Sequence, residues 1–176
     1  MDVRIRAAIG GDVPEITAIH NSMLRSATIE WTEQPLDIVE RQEWLRRQDD
    51  DGHAVLVAVS PVDRIVGWAA YEDFCGARGR PGYRHTMELT VHVHEDWRGR
   101  GVGRLLLAAL VEHAAAGGVH VLVAGVDGED AAAIDFHQRM GFEVVGRMPE
   151  VGRMHGRWLD LVLLQRILYE PDPVGG

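Results

Sequence analysis

Residues 97–107, WRGRGVGRLLL, place a loop rich in glycine and arginine between an alternating apolar run and a run of leucines. The alternation over residues 85–94, HTMELTVHVH, predicts a strand, and the leucine run predicts a helix that begins near Gly101. Backbone N–H groups are unpaired at such a corner, the helix dipole favours negative charge, and glycines let a phosphate come close. The corner is therefore predicted to bind an anion. A glycine-rich turn with solvated arginines is the alternative that the pattern leaves open.

The loop does not match two better-known phosphate-binding loops. A Walker loop needs a lysine followed by serine or threonine after its second glycine, and here that place holds Arg104 and Leu105. A dinucleotide-binding loop reads G-x-G-x-x-G, which would put its third glycine at position 104, where this chain has arginine. The sequence therefore predicts an anion site of another class.

Hydrophobic periodicity and glycine or proline breaks predict elements in the order β-α-α-β-β-β-α-β-α-β-β. The predicted strands are 3–8, 54–60, 64–73, 85–94, 119–125, 142–148 and 158–168. The predicted helices are one that begins after Asp12, followed by 32–48, 101–116 and 128–140. This order indicates an α/β domain with helices on both faces of a single sheet. We expect the domain to span residues 1–170 and residues 171–176 to form a frayed tail.

The composition limits the class of protein. The chain has 176 residues, 46% of them hydrophobic, which is enough for one domain with a buried core. Its net charge of −9 argues against a nucleic-acid partner. Cys75 is the single cysteine, which excludes an internal disulfide and fits a reducing compartment. No run resembles a signal peptide or a membrane span, so we expect a cytoplasmic protein without a membrane partner.

The glycine corner resembles the pyrophosphate-binding signature of the GNAT acetyltransferase superfamily. That signature is Arg/Gln-x-x-Gly-x-Gly/Ala, and residues 98–103 read RGRGVG. The predicted element order is also the GNAT order. The likeness narrows to the phosphinothricin, methionine sulfoximine and methionine sulfone N-acetyltransferases, because residues 78–93, RGRPGYRHTMELTVHV, resemble the stretch that this family carries before the loop. Residues 19–45 and 149–165 resemble the same family's opening helices and closing hairpin.

The resemblance implies a single-domain GNAT fold, with a mixed, mostly antiparallel twisted sheet flanked by helices. It implies a homodimeric enzyme that moves the acetyl group of acetyl-CoA to the α-amine of a small amino-acid analogue, without a metal. It would place the pantetheine arm along the main chain of Val91, His92 and Val93. It would place the pyrophosphate on the loop residues Arg98, Gly99, Arg100, Gly101, Val102, Gly103 and Arg104.

Glu88 is the general base that the resemblance implies. An ammonium group cannot attack a thioester until it loses a proton, and a nearby carboxylate can accept that proton. Strand alternation places Glu88 on one face with Thr86, Thr90 and His92, opposite Met87, Leu89, Val91 and Val93. A solvated strand glutamate is the structural alternative.

The resemblance also implies an acceptor site ahead of and along the Glu88 strand. Its residues are Arg78, Gly79, Arg80, Tyr83, Glu88, Leu89 and Thr90. The planar guanidinium groups of Arg78 and Arg80 suit an oxyanion of the acceptor. Solvated loop charges are the other reading of these two arginines.

The chain departs from the family pattern at several positions. His92 stands where the family usually has tyrosine, which matters little if only the main chain contacts the cofactor. Asp130 and Ala133 stand where asparagine and serine are usual, so the predicted contact of Asp130 with the pantetheine arm is in doubt. His137 takes the place of a tyrosine that often protonates the leaving thiolate, and it is either that acid or a packed histidine.

Two other functions stay open from the sequence. The acceptor could be a protein N-terminus, a polyamine or an aminoglycoside, or the chain could bind acyl-CoA without catalysis. His92 and His94 share a strand face as metal ligands do, but no third ligand is evident. Trp31 and Trp44 are predicted to lie in the core or in the walls of the acceptor pocket.

Overall fold

The structure, a computed structural model, describes residues 2–24, 32–74 and 80–169. Its elements follow the predicted order. The strands are β1 (Arg4–Ala7), β2 (Val55–Val59), β3 (Ile65–Asp73), β4 (Thr86–Val93), β5 (Val121–Asp127), β6 (Glu143–Met154) and β7 (Arg157–Ile167). The helices are α1 (Val13–Met23), α2 (Ile38–Asp50), α3 (Val102–Ala116) and α4 (Ala131–Arg139). Across these three ranges, no helix combines the length and the apolar character needed to cross a membrane. The predicted tail at 171–176 lies outside the described residues.

The strands form one sheet in the order β1-β2-β3-β4-β5-β7-β6. β4 and β5 are parallel, and every other neighbouring pair is antiparallel, so the predicted mixed and mostly antiparallel sheet is confirmed. The parallel pairing is short: it runs from Thr86 opposite Val121 to Leu89 opposite Ala124. β5 continues to Asp127 in its pairing with β7. The last residues of β4 and β5 therefore diverge, and they leave a wedge between the two strands.

Apolar residues cover both faces of the sheet. One core packs the buried face of α3, including Leu106 and Leu110, against the sheet. The other packs Ile16 and Ile19 of α1 against residues that include the fully buried Trp68. β2 lies between the two cores, which is why all five of its residues are buried and its sequence is an unbroken apolar run.

α2 begins later than the sequence pattern predicts. The predicted helix covered 32–48, whereas the structure begins it at Ile38. Asp37 caps the helix by accepting a hydrogen bond from the Glu40 N–H at 2.8 Å, and the Glu40 side chain accepts from the Asp37 N–H at 3.3 Å. This capping box defines the helix start, and Pro35 lies ahead of it because the residue before a proline avoids the helical region.

β6 is longer than predicted and forms a tight hairpin with β7. The sequence indicated a strand over 142–148, whereas the structure extends it to Met154 through an irregular pairing between Met148 and Gly152. β6 lies at the edge of the sheet, so it tolerates Pro149 without breaking a ladder on both sides. The hairpin turn at His155 and Gly156 has positive φ angles of 48° and 76°, as two-residue hairpin turns require.

Candidate active site

The side chains of β4 alternate between the core and a cleft, as predicted. Met87 and Leu89 are buried in the α3 core. Glu88 and Thr90 point to the opposite side, where they line a cleft between the sheet and α2. The predicted placement of Glu88 and Thr90 on one strand face, opposite Met87 and Leu89, is therefore what the structure shows.

The main chain of β4 is directed alternately to β3 and to the wedge. The His94 N–H donates to the Val66 carbonyl at 2.9 Å, and residues of an antiparallel strand share this direction at every second position. The main-chain groups of His92 and Thr90 therefore face β3, and those of Val91 and Val93 face the β5 side. Since the described pairing with β5 ends at Leu89, the Val91 N–H lies at the wedge. Of the three predicted pantetheine contacts, the geometry suits Val91 and Val93 and directs the main chain of His92 elsewhere.

The predicted glycine corner follows directly on β4. Gly101 precedes α3 with a φ of +82°, and Gly99 has a φ of +69°, values that side-chain-bearing residues rarely adopt. A Cβ at either glycine would meet nothing within 4 Å, so the loop surface is open. The first bond of the helix runs from the Leu105 N–H to the Gly101 carbonyl, so the N–H groups before it point out of the helix.

Arginines surround this corner and connect it to the wedge. Arg98 Nε donates to the Val93 carbonyl at 3.2 Å, which brings the loop against the end of β4. The guanidinium carbon of Arg100 lies 5.5 Å from the centre of the Trp97 ring, and both Arg100 and Arg104 are exposed. The wedge and the corner thus form one continuous path with hydrogen-bond donors along it and positive charge at its end.

The cleft beside Glu88 has a volume of about 310 Å³. One wall comes from the sheet and includes Glu72, Glu88, Thr90 and Gly125. Gly125 is exposed in an otherwise mostly buried strand, and a Cβ there would lie 3.7 Å from Glu88 Oε1. The absence of a side chain at Gly125 therefore leaves room beside the carboxylate.

The other wall is one face of α2, which the sequence did not predict as part of the site. Its lining residues are Glu40, Arg41, Trp44, Arg47 and Gln48. Their spacing is that of a single helical face. The sequence signal that was missed is the helical spacing of Arg41, Trp44 and Arg47, which places two arginines and a tryptophan on one face and indicates a polar cleft. Trp44 was predicted to lie in the core or in a pocket wall, and the structure shows both: it lines the cleft and packs against the α1 core, where it contacts Trp68.

A buried cluster supports this wall. Arg41 is 3% exposed, and its guanidinium carbon lies 4.5 Å from the Trp44 ring centre and 5.1 Å from that of Trp68. His92 packs on Trp68 with ring centres 4.6 Å apart, and its Nε2 lies 2.8 Å from Thr90 Oγ1. The His92 ring is therefore part of the wall beneath Thr90. Among the residues that the structure describes, no three His, Cys, Asp or Glu side chains are grouped to hold a metal.

The predicted acceptor loop is only partly described. Arg78 and Gly79 lie outside the described residues, as do Cys75 and Trp31. Arg80 and Tyr83 are exposed around a short 3₁₀ turn that precedes β4, and the Tyr83 ring centre lies 5.9 Å from that of Phe74. The described lining of the cleft includes neither of them, so their contact with an acceptor stays a prediction.

His137 is packed rather than open to solvent. It is 8% exposed, between the rings of Phe136 and Phe142, and its Nδ1 lies 2.9 Å from the Ala133 carbonyl. Burial lowers the pKa of His137 below its ordinary value of 6.5, so the ring is neutral at pH 7. The sequence left two roles open for His137, a packed histidine or the acid that protonates the thiolate. Its burial and neutral state favour the packed histidine.

Asp130 caps α4. Its Oδ1 accepts a hydrogen bond from the Ala133 N–H at 2.9 Å, so at least one carboxylate oxygen is used within the helix end. An asparagine would cap equally well through its oxygen and still carry an NH₂ group to donate. As an ionised carboxylate, Asp130 therefore lacks the N–H donor that an asparagine would offer to the pantetheine arm.

The wedge and the glycine corner together define a class of protein. A strand edge with unpaired N–H groups suits an extended amide-containing chain, and a helix N-terminus with arginines suits a pyrophosphate at the end of that chain. Coenzyme A has this form. A carboxylate in a cleft at the other end of the wedge suits an amine, so fold and site define an acyl-CoA-dependent N-acyltransferase.

Comparisons with known sequences identify the family. The pattern of the Acetyltransferase (GNAT) family matches residues 16–142. An L-methionine sulfoximine/L-methionine sulfone acetyltransferase of Pseudomonas aeruginosa is 42% identical over 165 residues, which cover 94% of each chain. This chain belongs to the GNAT family and is an acetyl-CoA-dependent N-acetyltransferase, as the sequence predicted.

Solved structures show the same fold. The crystal structure of a ribosomal-protein-alanine N-acetyltransferase from Brucella melitensis has a TM-score of 0.88 and 41% identity, over 93% of this chain and 99% of that one. A phosphinothricin acetyltransferase from Sinorhizobium meliloti, crystallised with acetyl-CoA, has a TM-score of 0.90 and 28% identity, over 99% and 95% of the two chains. The predicted GNAT fold is therefore confirmed.

Proposed function

We propose that this enzyme acetylates the α-amine of a small amino-acid analogue, with Glu88 as the general base. Methionine sulfone, methionine sulfoximine and phosphinothricin are the proposed acceptors. The observation that carries the proposal is the position of Glu88, which lines the acceptor-sized cleft on the same strand whose next residues open the wedge. The activity for which the Pseudomonas aeruginosa relative is named supports this acceptor class.

The chemistry needs two contributions from β4. Acetyl-CoA supplies the acetyl group as a thioester. The Glu88 carboxylate, directly or through one water, accepts the proton of the acceptor's ammonium group so that the amine can attack the thioester carbonyl. As the C–N bond forms the C–S bond breaks, and coenzyme A leaves as a thiolate that takes a proton from the nitrogen of the new amide through solvent. The Val91 N–H, directed into the wedge, donates to the carbonyl oxygen on which negative charge develops. Val91 and Val93 hold the pantetheine arm, and Arg98, the N–H groups before Leu105, Arg100 and Arg104 hold the pyrophosphate.

The acceptor is held by groups around the same cleft. We assign the tetrahedral polar head at the far end of the acceptor to Arg78 and Arg80, whose guanidinium groups offer paired donors. Thr90 offers a hydroxyl one pleat along from Glu88, and Tyr83 closes the wall. Methionine sulfone or sulfoximine is the preferred acceptor over phosphinothricin. A cytoplasmic homodimer that detoxifies such compounds is the setting that we propose.

A second candidate acceptor is a protein N-terminus. The Brucella melitensis relative, named a ribosomal-protein-alanine N-acetyltransferase, favours it. Such an acceptor carries its carboxylate at the far end of a long chain, so its α-amine is followed by a neutral amide. The two candidates therefore differ in whether the acceptor carries an ammonium group and a carboxylate on the same carbon.

The proposal is tested by incubating the protein with acetyl-CoA and a panel of amines while thiol release is followed. The panel contains the three amino-acid analogues, alanine-initiated peptides, a polyamine and an aminoglycoside. Thiol release with at least one of the analogues is the expected result. Release only with a peptide or polyamine would overturn the acceptor assignment, and acetyl-CoA binding without release from any amine would favour a non-catalytic module.

A further inference from the structure

The two walls of the cleft carry opposite charges. On the sheet wall, Glu72 of β3 stands directly opposite Glu88 of β4 in the strand register, and both line the cleft. On the α2 wall, the charged side chains are Glu40, Arg41 and Arg47. The sheet wall therefore attracts an ammonium group, and the α2 wall is where an anionic group could bind.

Two of the three charged side chains on the α2 wall are committed to the protein itself. Glu40 completes the capping box with Asp37 at the start of the helix. Arg41 is buried against two tryptophan rings, and its Nη2 lies 3.3 Å from His20 Nδ1. The main contacts of Glu40 and Arg41 are therefore with the protein itself.

Arg47 differs from both. Its side chain is exposed and lines both the cleft and a neighbouring cavity of about 260 Å³ that also reaches Glu72 and Glu88. Within the described parts of the chain, its guanidinium makes no hydrogen bond or ion pair. Its neighbour Arg46 instead forms an ion pair with Asp50 at 2.6 Å and lines a different cavity. Arg47 is thus the cation of this wall that is available to a ligand.

We infer that Arg47 binds the α-carboxylate of the acceptor while Glu88 receives its α-amine. The inference rests on the proposed function and adds to it the residue that recognises an amino acid as such. A zwitterion places its two charges on one carbon, and this cleft offers a cation on α2 facing carboxylates on the sheet. Arg78 and Arg80 then remain for the polar group at the far end of the acceptor.

The test compares two acceptors that differ only in the carboxylate. They are methionine sulfone and 3-(methylsulfonyl)propylamine, which is the same molecule without that group. The variants are Arg47→Gln and Arg47→Lys, with Arg46→Gln as the matched control one residue away on the same helix. Dividing each variant's value by the wild-type value for the same acceptor removes the difference in amine basicity.

We expect Arg47→Gln to raise the KM for methionine sulfone about tenfold or more, the loss of a charge-assisted hydrogen bond. The same variant should change the KM for the propylamine less than about twofold, since no carboxylate is left to lose. Arg47→Lys should recover part of the loss, because it keeps the charge without the planar fork. The KM for acetyl-CoA should stay unchanged, and Arg46→Gln should behave as wild type with both acceptors.

Three results would overturn the inference while leaving amine acetylation intact. One is an unchanged KM for methionine sulfone in Arg47→Gln, and another is an equal rise for both acceptors, which would show a structural effect on the wall. The third is the same rise in Arg46→Gln. If the wild-type protein acetylates none of the three proposed analogues, the proposed function fails first, and the inference fails with it.

Discussion

At the scale of single residues, Glu88 combines accessibility with a fixed position. It is half-exposed in a strand whose neighbouring residues Met87 and Leu89 are buried, so the backbone that carries it is held in place. Gly125 leaves space beside its carboxylate. A base needs both features, because its carboxylate must reach the amine without reorganising the strand.

Replacing Glu88 with glutamine tests this role. The amide keeps the shape and cannot accept the proton, so kcat is expected to fall about a hundredfold or more. The KM for acetyl-CoA should stay near the wild-type value, since the cofactor path that we propose lies along the main chain of the following residues. Steady-state kinetics at neutral pH measures both. Glu143→Gln, at an exposed strand glutamate of β6, is the charge-matched control, and near-wild-type turnover of Glu88→Gln would assign Glu88 a structural role.

His137 gives a prediction about pH. Because burial lowers its pKa in the folded state below 6.5, the unfolded chain takes up a proton there more readily than the folded chain. The stability that a neutral His137 contributes is complete above pH 6.5 and is lost as the pH falls below that value towards the lower folded pKa. In His137→Gln, which does not titrate, the free energy of unfolding should therefore fall less steeply over this acidic window.

Urea unfolding at several pH values measures that slope for the two proteins. In parallel, the kcat of His137→Gln should stay within about threefold of wild type, since loss of a general acid costs about a hundredfold or more. A hundredfold loss of kcat in a stably folded variant would show instead that His137 protonates the leaving thiolate.

At the scale of the elements, the corner between β4 and α3 depends on backbone conformation rather than on space. Gly101→Val places a β-branched residue at a φ of +82°, a strained conformation, and brings a side chain to the open surface of the loop. We expect the KM for acetyl-CoA to rise sharply while the KM for the acceptor stays unchanged. Steady-state kinetics at saturating concentrations of the other substrate separates the two.

Gly118 provides a matched control at the opposite end of α3. It also has a positive φ, +79°, and a Cβ there meets nothing within 4 Å. Gly118→Val should therefore lose a comparable amount of stability without any change in the KM for acetyl-CoA. Equal KM values in Gly101→Val and wild type would argue against pyrophosphate binding at this corner.

The elements were predictable to different degrees. The order of strands and helices followed from periodicity, because each run repeats at the spacing of its own structure. The start of α2 was not predicted, since Pro35 marked the segment more visibly than the Asp37–Glu40 box. Glu88 was predicted from the family resemblance and the glycine corner from local sequence; the structure places Glu88 in the cleft and the corner at the start of α3. Arg47 was not, because the direction in which α2 presents that face depends on its packing against a distant strand.

At the scale of the whole molecule, net charge should influence the choice of acceptor. The chain carries −9, and the sheet wall of the cleft adds Glu72 beside Glu88. Phosphinothricin has one negative charge more than methionine sulfone at neutral pH. The ratio of kcat/KM for methionine sulfone to that for phosphinothricin should therefore be largest at low ionic strength and fall as salt is added.

Initial rates for both acceptors across a salt series, at saturating acetyl-CoA, measure that ratio. Screening shortens the reach of charge from about 30 Å at 0.01 M salt to about 8 Å at 0.15 M. A ratio that does not change, or that rises with salt, would show that contacts within the cleft alone set the preference.

The short seam between β4 and β5 has a consequence for solvent exchange. Neighbouring amides on β4 face opposite ways, so the Val91 and Val93 protons should exchange quickly in the protein alone, while the His92 proton, directed to β3, exchanges slowly. Acetyl-CoA should slow the first two and leave the third as it was, and exchange measured residue by residue would show it. New protection at Val91 and Val93 but not at His92 would then show that acetyl-CoA pairs with β4 as an additional strand would.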